Sequence, residues 1–169
     1  MSDRREVMLE GMTAGLIGYA AVVILVAVLD LVGGRALFQT PSLLGQILIG
    51  GFGDPTPGVV QAGPVMAYNG VHLLVFLAVG MAAAWIVHEV ELHPIIWYGA
   101  FFAVMTIVLV SFMALSFVGE ASAGLLDRWP LIGANALAAV AIGVYLQRAH
   151  PGLGKAIRAH ADPEYEKTA

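Results

Sequence analysis

The chain has 169 residues, of which 59% are hydrophobic and only 12% charged, about half the ~25% charge of a typical soluble domain. It contains no cysteine, which excludes disulfides, thiolate metal sites and thiol nucleophiles. Its net charge is −4 with no basic cluster beyond Arg4 and Arg5, which argues against a nucleic-acid partner.

Four apolar runs occupy most of the chain, at about residues 12–32, 65–87, 95–118 and 130–146. Each approaches the ~20 residues that a helix needs to cross a hydrocarbon core of ~30 Å. The predicted fold is therefore all-α. It is a polytopic membrane protein whose residues 1–148 form four transmembrane helices in a compact bundle, followed by a tail at 149–169. No length remains for a soluble catalytic domain, so an enzyme is disfavoured.

The first run carries Arg4 and Arg5 ahead of it, as a signal peptide would. It is longer than the ~7–15 apolar residues of a signal core and ends without a small-x-small cleavage pattern, so it is read as a retained helix. Gly11, Ala14, Gly15 and Gly18 put small side chains on one side of it. Such spacing lets helix backbones approach closely, either within the chain or across a dimer.

The connection at about 33–64 is long. Thr40 followed by Pro41 reads as a helix start, a capping hydroxyl and then a proline at the first helical position. Leu43, Leu44, Ile47 and Leu48 follow on one face, and Gly50–Gly51 stop the helix. This short interfacial helix either lies along the outer surface or dips into the protein. The next segment, 52–58, is rich in turn residues, and forms a connector or a lid.

The second run holds Tyr68, Asn69 and His72 in its first third, and the third has only Thr106, Ser111 and Ser116 as mild polar points. The fourth opens on Trp129 and Pro130, a membrane-edge aromatic and a helix-start proline, with Asn135 further in. His88, Glu89, Glu91 and His93 form an acidic turn between the second and third runs, and His150–Pro151–Gly152 end the last helix. Lys155 and Arg158 are placed to rest against anionic headgroups.

Counting Lys and Arg orients the chain. Arg4, Arg5, Arg148, Lys155, Arg158 and Lys167 flank the termini, against Arg35 and Arg128 on the opposite side. The positive-inside rule puts both termini in the cytoplasm, in a cell inner membrane.

The polar side chains then gather in the outer half. His72 lies ~10–12 Å below the outer surface and Asn135 ~8 Å, at 1.5 Å per helical residue. Asn69 and Tyr68 share a face with His72, and Asp30 sits near the outer end of the first helix. His72, Asn69, Tyr68, Asp30 and Asn135 form a candidate outward-facing ligand pocket, because intramembrane polar groups face protein or a cavity. The competing explanation is interhelical hydrogen bonding at ~0.6–2 kcal/mol each, with Asp30 paired to Arg35.

Specific chemistries are constrained by spacing. A bis-histidine haem needs two axial ligands at one depth, but His72 and His88 stand ~24 Å apart along one helix. A single-histidine cofactor shared with another subunit stays open. The His88 to His93 stretch resembles the zinc motif H-E-x-x-H with one residue too many, putting the histidines on different faces. The middle of every run lacks the paired charges typical of a transporter.

Residues 34–45, together with the Tyr68 to His72 region, resemble segments of uncharacterised bacterial membrane proteins with four spans. The resemblance covers most of the chain. It implies a bacterial inner-membrane location and carries no activity. The expected role is a structural or accessory subunit contacting the lipid bilayer and packing with itself or with a larger membrane complex. The alternatives are a ligand- or cofactor-binding protein around His72, with the cofactor unknown, and a small oligomeric transporter.

Overall fold

A computed structural model describes residues 2–50, 55–93, 99 and 128–154. Every regular element among them is helical: α1 (Ser2–Val32), α2 (Gln39–Ile49), α3 (Ala62–Leu92) and α4 (Arg128–Ala149). Three of these, over Arg4–Val32, Ala62–Leu92 and Trp129–Ala149, are long and apolar enough to cross a membrane. The run at 95–118, the flanking Glu120 and Asp127 and the tail beyond 154 lie outside the described residues.

The helices outrun the apolar segments that announced them. α1 begins ten residues before the run at 12–32, taking in the polar stretch from Ser2. Hydropathy marks the part of a helix that matches lipid, whereas backbone hydrogen bonding continues into polar sequence of good helix propensity. For the same reason α3 reaches Leu92, and His88, Glu89 and Glu91 are helical rather than part of a turn. The helix ends where His93 precedes Pro94, a position biased against helical backbone.

Ala14, Gly18, Val22, Val26 and Asp30 are all buried along α1 at a four-residue interval. α3 answers with Phe76, Gly80 and Ala84, and α4 with Ala134, Ala138, Ile142 and Leu146. Rows spaced by four form helix ridges that pack into a neighbour's grooves. These residues, apart from the two glycines and Asp30, make one core cluster, with α1 between α3 and α4. Gly11 and Gly15 of α1 face Gly80, Met81 and Phe76 of α3, while Gly18 faces Ile142 of α4. Both α3 and α4 therefore run antiparallel to α1.

The small-residue face of α1 is thus taken up inside the chain. A Cβ on Gly15 would stand 2.5 Å from the Phe76 carbonyl oxygen. One on Gly80 would collide with the backbone of Gly11 and Gly15. Lipid tails are as apolar as leucine, so this close approach gains its stability from van der Waals contact rather than from water release. Among the described residues, these glycines meet α3 and α4 of the same chain, as the internal-packing alternative expects. At most 28% of the apolar window of any of the three long helices is buried within the protein, leaving the rest for lipid or another chain.

α2 packs mainly on α3. Its buried face is broader than the leucine pattern suggested, comprising Thr40 to Gly45 and Ile47, while Leu48 is exposed. Gly45 meets the Pro64 carbonyl so closely that no side chain fits between them. The helix starts one residue before Thr40, after Phe38 in a left-handed conformation (φ 66°), with no side-chain cap from Phe38. Thr40 does not act as the capping residue, because its hydroxyl is committed elsewhere.

Candidate functional site

That hydroxyl is committed to Asp30. The carboxylate at the end of α1 is completely buried. Its Oδ1 accepts hydrogen bonds from the Thr40 hydroxyl (2.6 Å) and from Arg35 Nε (2.9 Å). Its Oδ2 accepts from the Thr40 backbone N–H at 3.0 Å. Asp30 therefore caps α2 from a different helix, where an anion also meets the positive end of the helix dipole. Arg35 supplies the countercharge that a buried carboxylate requires.

Ser42, absent from the sequence-derived candidates, does similar work two residues later. Its buried Oγ accepts from Gln61 N–H (3.0 Å) and Gln46 Nε2 (3.3 Å) and donates to the Val59 carbonyl (3.3 Å). Gln46 Oε1 accepts from Thr56 N–H at 2.8 Å. Side chains of α2 thus hold the otherwise irregular segment leading to α3.

Deeper in, α1 and α3 bring four polar side chains together. Tyr19 donates its hydroxyl proton to Asn69 Oδ1 at 3.0 Å, and Asn69 Nδ2 donates to the Val65 carbonyl at 2.8 Å. His72 stacks on Tyr68, with ring centroids 5.0 Å apart and planes at 21°, and meets Phe76 edge-on at 5.0 Å. The Tyr19 ring lies 6.4 Å away. Tyr68, His72 and Phe76 are spaced by four, so they form one aromatic ridge of α3. His72 Nε2 is buried without a hydrogen-bond partner.

A cavity of about 20 Å³ adjoins this group, lined by Val22, Val26, Phe38, Tyr68, Asn69 and His72 among others. That volume accommodates about one water molecule.

Of the five sequence-derived candidates, Tyr68, Asn69 and His72 come together at the cavity, whereas Asp30 and Asn135 are not among its lining residues. Asp30 is engaged at the α1–α2 junction, and Asn135 donates to the Leu131 carbonyl of its own helix at 2.9 Å. Tyr19 joins them unanticipated. A lone tyrosine in an apolar run carries no signal until the antiparallel register of α1 and α3 is known.

At the opposite end of the molecule His150, just past α4, is bound by two carboxylates. Its Nδ1 and Glu91 Oε2 are 2.7 Å apart, and its Nε2 lies 2.8 Å from Glu10 Oε1, close but poorly aligned for a hydrogen bond. Helical side chains lean toward the N-terminus of their helix. In antiparallel α1 and α3, Glu10 and Glu91 therefore lean toward one another, with the imidazole between them. Burial pulls the His150 pKa down, but the Glu91 hydrogen bond and the nearby charges of Glu10 and Glu91 outweigh it and hold the pKa above its ordinary value. The His150 ring links α1, α3 and α4. Glu10 escaped the sequence reading because it precedes the first apolar run.

No protein-family model, curated protein or solved structure matches the chain. The class is defined by the fold itself: an all-α protein with three helices long and apolar enough to cross a membrane.

Proposed function

We propose that this chain is a four-span integral membrane protein, with both termini cytoplasmic, that acts as a structural or accessory subunit. The observation that carries this reading is the use made of its polar groups. Asp30, Tyr19, Asn69, Asn135 and His150 are bound to partners within the chain, and the cavity beside His72 has only about 20 Å³. A drug-sized ligand or organic cofactor needs a pocket of ~300–1,000 Å³, so the cavity at the His72 cluster is too small to hold one.

The parallel course of α3 and α4 supports a fourth span. A chain that leaves α3 at one face and starts α4 at the other has to cross back, and the apolar run at 95–118 is the stretch suited to it. The basic residues at the termini favour the cytoplasm for the end that carries His150. α2, buried from Thr40 to Gly45, is read as a helix that dips into the outer end of the bundle. The bacterial inner membrane is the location implied by resemblance.

Association with itself or with a larger complex uses faces other than the glycines of α1. Native mass measurement after mild extraction tests it. A species well above the 17.8 kDa chain mass is expected, and a bare monomer in every extraction condition overturns it.

One observation favours a second reading. The unpartnered His72 Nε2 beside the cavity suits a site for a single small protic molecule. Replacing His72 discriminates between the two, as set out in the Discussion.

A further inference from the structure

A second and much larger opening lies along the seam of α1 and α3 at the end opposite the His72 cavity. It has a volume of about 500 Å³ and is lined by Arg4, Val7, Met8, Met81, Trp85, His88 and Glu89. Arg4, Val7 and Met8 share one face of α1, as do Met81, Trp85, His88 and Glu89 on α3. We propose that this groove binds one phospholipid with a zwitterionic phosphoethanolamine head.

The groove is built in two zones. Toward the Gly11–Gly80 crossing its wall is apolar and adaptable. Met8 is 56% and Trp85 58% exposed, surfaces suited to an acyl chain, and methionine conforms to irregular apolar shapes. Toward the helix ends the lining becomes Arg4, His88 and Glu89. With α3 centred on the bilayer, Trp85 lies ~12 Å and Glu89 ~18 Å from the midplane, on either side of the ~15 Å half-thickness of the core. The apolar zone thus falls at acyl depth and the charged zone at headgroup depth.

Charge selects the occupant. The three ion pairs among the described residues involve neither Arg4 nor Glu89. Arg4 offers a guanidinium to a phosphate, with the His88 imidazole beside it. Glu89 offers a carboxylate to a primary ammonium. A lipid with an anionic head would meet repulsion from Glu89, and a choline head has no N–H to donate to it. Only the ethanolamine head satisfies both ends.

The proposal rests on the membrane placement given above. Its test is native mass spectrometry of the full-length protein, extracted from vesicles of equimolar phosphatidylethanolamine, phosphatidylglycerol and phosphatidylcholine. Wild type is expected to retain one phosphatidylethanolamine. Arg4→Gln should reduce that retention about fivefold, the effect of one basic residue at a lipid surface. Glu89→Gln should shift the preference toward phosphatidylglycerol. Retention in the proportions of the vesicle, or a preference unchanged by both substitutions, overturns the site. Alkaline carbonate extraction separates the two failures. Carbonate-resistant protein without a lipid preference overturns the site alone, and carbonate-soluble protein overturns the membrane placement beneath it.

Discussion

His150, the first residue past α4, meets Glu91 near the end of α3 with Nδ1 and Oε2 2.7 Å apart. Glu10 of α1 stands at the other imidazole nitrogen, 2.8 Å away. Three helices separated in sequence are joined through one imidazole ring with a carboxylate oxygen beside each nitrogen.

Stability should therefore depend on pH with a defined sign. The folded state raises the His150 pKa, so it holds the proton more tightly than the unfolded chain. The stabilisation is fully present below the unfolded value of ~6.5 and is lost as pH rises through the raised folded value. Thermal unfolding in detergent should show a midpoint that falls over this range. His150→Gln should flatten the profile and cost about 1.5–3 kcal/mol at low pH, as for hydrogen bonds to charged groups. A profile equally steep in His150→Gln would show that another group titrates.

The α1–α3 crossing should be intolerant of a single methyl group. Gly80→Ala places a Cβ on the backbone of Gly11 and Gly15, where no flexible side chain can yield. Overpacking of this kind costs about 1–3 kcal/mol. Gly70→Ala points into open space on the same helix and should be neutral or gain up to ~1 kcal/mol from helix propensity. The difference in thermal midpoint between these two variants measures the contact.

Asp30→Ala should loosen the connection between α1 and α3 without unfolding the bundle. It removes both acceptors of Thr40 and the partner of Arg35. Arg35 is 36% exposed and can turn to water, so the cost is about 1–3 kcal/mol rather than the ~3–5 kcal/mol of a stranded buried charge. Faster proteolytic cleavage within residues 33–61 is the expected signature. Asp30→Asn keeps an acceptor for Thr40 and should fall between wild type and alanine.

His72→Phe separates the two readings of the outer cluster. It removes a buried nitrogen that has no partner and keeps the aromatic ridge with Tyr68 and Phe76. If the cluster only joins helices, stability should stay within ~1 kcal/mol of wild type or rise. Asn69→Ala, which breaks the bond to Tyr19, should cost ~0.6–2 kcal/mol. A large loss of stability in His72→Phe that no other cavity-lining substitution reproduces would point to a bound molecule.

The native absence of cysteine makes topology directly measurable. Single cysteines at Ser2 and Thr168 should resist a membrane-impermeant thiol reagent applied outside intact cells, while Thr56→Cys should react. Labelling at only one of the two terminal positions would require an odd number of spans.

Much of this molecule was legible in its hydropathy. The runs at 12–32, 65–87 and 130–146 each fall within a helix; Gly50 marked the stop of α2, while its start lies two residues before the one Thr40 and Pro41 signalled. The turn assigned to His88, Glu89 and Glu91 failed because polarity ends a membrane span without ending a helix. Tyr68, Asn69 and His72 were grouped correctly because spacing along one helix is enough to place them on one face.

What the sequence could not specify is which helix each face meets. The glycines of α1 suited a dimer as well as an internal crossing until Gly80 and Phe76 were found against them. Asp30 was a wall for a pocket until Thr40 and Arg35 claimed both its oxygens. Tyr19, Glu10 and His150 acquired roles only through the register of α1 with α3 and α4. Local periodicity and lipid length are properties of consecutive residues, so sequence alone determined the helices and that three of them are long and apolar enough to cross a membrane. The pairing of polar groups depends on how rigid helices slide and rotate against one another, and only close packing at the glycine ridges decided that.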